Sequence, residues 1–124
     1  MRCKLGWTLQ LVLVGFFVIP CAANEACKIT MAITPTNATA DHSAPAPGNQ
    51  VQFLLSSSVE GNCPMIPDSR GVWTTSDSEN TTISNNPSTA GLAVCLRETP
   101  QPVTISNSGR IRGRSYPPAT LICK

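Results

Sequence analysis

Beyond residue 23 the chain is built of short runs in which apolar and polar residues alternate, the period of half-buried β-strands. Ala26 to Thr34 places Cys27, Ile29, Met31 and Ile33 on one face, and Pro35 ends the run. Residues 37 to 47 are rich in Ala, Thr and Pro, which suits an extended edge or a loop. Gly48-Asn49 turns the chain into Gln50 to Ser56, with Val51, Phe53 and Leu55 inward. A connection holding Gly61, Cys63, Pro64 and Pro67 leads to Gly71-Val72-Trp73-Thr74-Thr75-Ser76-Asp77, in which Trp73 faces a core. Short strands follow at Thr81–Ser84, Gly91–Leu96, Val103–Ser106 and Ala119–Cys123, with residues 107 to 118 expected as a long polar loop. The expected core is Phe53, Trp73, Ile83, Val94 and Ile105.

No amphipathic helix follows residue 23, and eleven prolines with frequent Thr and Ser argue against one. Six or seven short strands at roughly ten-residue spacing predict an all-β domain, a Greek-key β-sandwich over residues 24–124.

Composition changes the picture chiefly at the N-terminus. Arg2 and Lys4 precede an apolar run from Leu9 to Ile19; Pro20 breaks it, and Cys21-Ala22-Ala23 offers small residues for cleavage after Ala23. Residues 1–23 therefore read as a secretory signal peptide, and the apolar run is short for a membrane span of roughly 20 residues. Pro20 stands where a lipoprotein signal has a small residue, which argues against acylation of Cys21. Cleavage would leave seven basic against seven acidic residues, so nothing in the charge invites nucleic acid. It would also leave four cysteines, Cys27, Cys63, Cys95 and Cys123, none in a C-x-x-C pair, with His42 the only histidine. Two structural disulfides in an exported protein fit this set better than zinc or thiol chemistry.

At this point the residues resemble a known family. Gly48-Asn49-Gln50-Val51-Gln52-Phe53, then Val72-Trp73-Thr74-Thr75-Ser76-Asp77-Ser78, Thr82-Ile83-Ser84, Gly91-Leu92-Ala93-Val94 and Pro102-Val103-Thr104-Ile105 follow one another in the order of the bacterial immunoglobulin-like group 2 (Big2) domain. The resemblance spans roughly residues 28 to 124 and implies an immunoglobulin-like sandwich of the kind found in adhesion and cell-surface modules. The four cysteines and the Pro-rich connections depart from the family pattern. With strands running alternately up and down in that fold, Cys27 and Cys63 fall at one end and Cys95 and Cys123 at the other. Cys27–Cys63 and Cys95–Cys123 is then the expected pairing, one of three possible.

No chemistry-bearing constellation emerges. Asp41, Glu60, Asp68, Asp77, Glu79 and Glu98 are scattered through connections, and no calcium-loop spacing occurs among them. His42 lies far from any nucleophile motif, and Asp77 reads as a turn residue after the Trp73 strand. The chain is thus expected to be no enzyme and to need no cofactor or metal. Its expected partner is another cell-envelope or extracellular macromolecule, at the cell surface, in the periplasm or secreted. Arg110, Arg112 and Arg114 alternate around Ile111 and Gly113 beside Tyr116, so an extended segment would point all three guanidinium groups one way. That loop is the candidate binding element for a carbohydrate or other surface ligand, weighed against a solvated hairpin tip.

Overall fold

The computed structural model describes residues 27–64, 67–69 (backbone only) and 71–124, so the signal peptide and Cys21 lie outside the described residues. The described chain is strands and turns without a helix, arranged in several sheets.

Strand β1 (Lys28–Thr34) alternates as its sequence demands, with Ile29, Met31 and Ile33 buried and Lys28, Thr30 and Thr34 exposed. It pairs antiparallel with β4 (Leu54–Glu60), Lys28 opposite Glu60 and Thr34 opposite Leu54. Pro35 has no N–H with which to continue that ladder, and the chain crosses to another sheet. There β2 (Asn37–Ala40) runs parallel to β12 (Ala119–Cys123), Asn37 beside Thr120 and Ala40 beside Cys123. The segment read as an edge or loop thus begins as a paired strand. Its small residues permit this: Ala40 is buried in the core and Ala38 packs against it.

The second expected strand is longer than its pattern suggested and is divided. β3 (Gln50–Gln52) pairs with β8 (Leu92–Cys95), and β4 carries on beyond Phe53 to pair with β1. At the junction the Phe53 amide donates to the Gly91 carbonyl at 2.9 Å. β7 (Thr81–Ile83) completes the order β3-β8-β7. Facing it is the sheet β2-β12-β9-β6, with β6 spanning Trp73–Thr75 and β9 spanning Val103–Asn107. Phe53, Trp73, Ala93, Cys95, Val103, Ile105, Ala119, Leu121 and Cys123 fill the space between these sheets, an arrangement consistent with a β-sandwich.

Of the expected core, Phe53, Trp73 and Ile105 are buried, and Ile83 packs half-buried against them. Val94 is a correction. In β8 the pleat turns Ala93 and Cys95 inward, so Val94 lies half-buried on the opposite face, flanked by Gln50 and Thr82. Leu55 is likewise 39% exposed rather than interior.

Above the main core lies a smaller cluster of Ile29, Met31 and Ile111, with Cys27, Val59 and Cys63 packed around it. Its cover is the three-stranded order β11-β10-β5, where β5 is Pro67–Ser69, β10 Arg110–Ile111 and β11 Arg114–Ser115. The stretch expected as a long polar loop therefore contains a hairpin. A single apolar residue, Ile111, anchors the hairpin, whose tip was the alternative to a binding loop.

Candidate functional site

The hairpin that carries the arginines closes with Arg112 and Gly113 at φ 50° and 76°, both left-handed, as in the primed turns that match strand twist. Gly113 adopts this freely, whereas Arg112 does so against a steric preference. The ladder sets Arg110 opposite Ser115 and Ile111 opposite Arg114. Directly opposed residues share a face, so Arg114 lies on the side of buried Ile111 and Arg110 on the other side. The expectation that the three arginines point one way is thereby corrected: the turn breaks the alternation that an uninterrupted strand would have kept.

Two of the three guanidinium groups are engaged with β1 or the residue just before it. Arg114 Nη1 donates to the Ile29 carbonyl at 3.3 Å, and Arg112 Nη1 approaches Cys27 Sγ at 3.5 Å. Arg110 is exposed. Tyr116 is half-buried and packs against both the main core and the smaller cluster, joining the two. A shallow groove of about 280 Å³ runs beside the hairpin, lined by Ile29, Thr30, Met31, Arg114, Ser115 and Pro117.

The cysteines pair as Cys27–Cys63 and Cys95–Cys123, with Cα separations of 5.5 and 5.6 Å that suit a disulfide. Cys95 on β8 and Cys123 on β12 tie the two facing sheets together, and both are 1% exposed. Cys27 and Cys63 join the β1 start to the segment after β4 and are only half-buried.

The polar residues of the described chain mostly serve turns. The Asp77 carboxylate accepts from Asn80 Nδ2 at 2.8 Å and from the Asn80 amide at 3.2 Å, which holds its pKa below the ordinary carboxylate value. Asp41 is lowered in the same sense, first by the hydroxyl of Ser43 at 2.7 Å. His42 uses Nδ1 and its backbone amide on the Lys124 carbonyl, at 2.5 and 2.9 Å. Among the described residues no three of His, Cys, Asp and Glu gather as a metal site. The Asp68 side chain falls outside the described residues.

Two residues that sequence reasoning passed over hold Trp73 in place. Asn85 Oδ1 accepts from the Trp73 amide at 2.7 Å, and Asn85 Nδ2 donates to the Trp73 carbonyl at 3.0 Å. One side-chain amide thus stands in for a neighbouring strand on that edge. Gly91, at φ 81°, lets the backbone press on the indole; a Cβ there would sit 2.2 Å from the Phe53 carbonyl oxygen and 3.0 Å from the ring. The Asn85-Asn86-Pro87-Ser88 turn signal gave no hint of a partner twelve residues upstream.

An open groove of about 360 Å³ beside Trp73 is lined by Thr74, Thr75, Ser78, Thr81, Thr82 and Ile83. Its walls carry hydroxyl and apolar groups but no ionisable side chain, so it offers hydrogen bonds without acid–base chemistry. No family model, curated protein or solved structure matches this chain.

Proposed function

We propose that the chain is an exported immunoglobulin-like module, released by cleavage after Ala23, that acts as a structural or macromolecule-binding element without catalysis. The observation that carries this reading is the passage of the chain from β1 in one sheet directly to β2 in another. β1 pairs antiparallel with β4, and β2 pairs parallel with the last strand, β12. Together with the orders β3-β8-β7 and β2-β12-β9-β6, this supports an immunoglobulin-type Greek key and agrees with the Big2 resemblance. The two disulfides are compatible with an extracellular location. The dispersal of acids into turns and the single histidine, tied to a backbone carbonyl, favour a binding role over a catalytic one.

A second reading, a small binding protein for a carbohydrate or another surface ligand, draws on the groove beside Arg114. Both are tested by retention of cell-envelope components on the immobilised, oxidised protein. The first reading expects a defined envelope macromolecule to be held equally by the protein and by a variant with Arg110, Arg112 and Arg114 changed to Ser. The second expects retention of a glycan that the variant loses while its melting temperature stays close to that of the parent. Retention of neither class would overturn both.

A further inference from the structure

Strand β4 is the exposed rim of the smaller half. All seven residues from Leu54 to Glu60 are exposed except Val59, which is half-buried. β1 is its sole ladder partner among the described residues, and no described backbone group bonds to its second edge. The strand that would lie there is missing for a visible reason. β8 begins at Leu92, so it covers β3 but ends its pairing before β4 starts. Burial falls away across a single strand step. Ile33 and Met31 on β1 are 1% and 8% exposed, whereas their opposite numbers on the same face, Leu55 and Ser57, are both exposed. Leu54 at 58% and Leu55 at 39% are two of the five large apolar side chains exposed on the described surface.

Folded proteins blunt such edges with Pro, Lys, bulges or covering groups. The edge strand β6 is covered at Trp73 by the Asn85 amide. β4 has none of these devices: no Pro, no Lys, an unbroken register with β1 and one charge, Glu60, at its end.

We infer that β4 is a self-association edge, and that its occupant is β4 of a second copy of this chain, antiparallel about a two-fold axis at Ser57. The central five residues are self-complementary in that register, while Leu54 at each end comes opposite Glu60 of the second copy. Leu55 comes opposite Val59 of the second copy, Ser56 opposite Ser58, and Ser57 opposite Ser57. The Leu55–Val59 pairs fall on the inner face, where they extend the smaller cluster across the junction. The two Glu60 carboxylates sit at opposite ends of the ribbon, about 20 Å apart at strand rise, beyond the screening length in physiological salt. Every other position of the ribbon is neutral. A seven-residue ribbon is smaller than the roughly 1,600 Å² of a standard interface, so the dimer is reversible and depends on concentration. This inference stands apart from the ligand of the module.

Sedimentation velocity of the oxidised protein from micromolar to millimolar concentration tests it. The expected result is a sedimentation coefficient that climbs toward the dimer value. Ser57→Asp and Ser57→Lys, each placing like charges directly opposite one another, should stay monomeric at every concentration with an unchanged melting temperature. An equimolar mixture of the two should recover the dimer, since Asp then faces Lys. A wild-type monomer throughout would overturn the inference and leave the edge to a strand from another protein. A dimer that survives both substitutions would place the interface elsewhere. Monomeric variants whose mixture also stays monomeric would overturn the Ser57 register.

Discussion

The half of the molecule around Phe53 and Trp73 and the half around Ile111 are both built of short strands, yet they are held together differently. The first has facing sheets of four and three strands and eleven buried core residues. The second has a two-stranded ribbon against a three-stranded one, and three buried residues. Each half has one disulfide, closing 28 residues in the first and 36 in the second. In the chain-entropy picture these loops restrict the unfolded chain to nearly the same degree. The crosslink therefore adds to an already continuous core in one half and compensates for missing strands in the other. Small domains with little core lean on disulfides in this way. Tyr116, packed against both clusters, couples the halves.

The largest expected effect is at the indole. Trp73→Ala should cost about 3–5 kcal/mol in urea unfolding, the range for truncating a large buried aromatic. Near-native stability would remove Trp73 from the core and with it one side of the comparison.

Replacing Cys95 and Cys123 together by Ala should cost about 3–4 kcal/mol, and replacing Cys27 and Cys63 together about the same, from loop closure alone. The halves should differ instead in access to reductant. With graded dithiothreitol and alkylation, Cys27 and Cys63 should be labelled first, because they are half-buried while Cys95 and Cys123 are sealed in the core. The Arg112 guanidinium beside Cys27 Sγ favours a departing thiolate and acts in the same direction. Earlier labelling of Cys95 and Cys123 would reverse the assignment.

Ile111→Ala should cost about 2 kcal/mol, the lower end for a buried aliphatic residue, because its cluster is small and its surroundings can close over the gap. A cost equal to that of Trp73→Ala would show that the smaller half is no weaker than the larger.

The smallest effect concerns acid. The hydrogen bonds from Asn80 keep the Asp77 carboxylate below its ordinary pKa in the folded protein. Its contribution is complete above the unfolded value near pH 4 and is lost as pH falls through the folded value. The gap in melting temperature between the protein and Asp77→Asn should therefore narrow below about pH 4. A gap independent of pH would mean that the turn after β6 does not sense this charge.

The hairpin shows why the candidate binding site was less legible than the fold. A run of alternating arginines reads as a one-sided positive face, but two residues in left-handed conformation reverse the chain within it. Which arginine then meets β1 depends on Ile111 finding Ile29 and Met31, which lie some eighty residues earlier. The Val94 misplacement has a related origin. In Leu92-Ala93-Val94-Cys95 every residue is apolar or thiol, so polarity could not choose the inward pair; the disulfide from Cys95 to Cys123 and the facing sheet did.

What the sequence determined by itself is whatever local alternation and chain punctuation encode. The β-strand character, the positions of most strands and the burial of Phe53, Trp73 and Ile105 follow from a two-residue period broken by Pro, Gly and Asn, whereas the expected pairing of the cysteines needed the strand order that the family resemblance implies. Tertiary structure decided what depends on which strand lies next to which. It split β3 from β4, carried β2 across to the last strand, clasped Trp73 with Asn85 and left β4 open at its edge. Those outcomes are set by partners far apart in the chain, where packing volume and ladder geometry outweigh the local pattern.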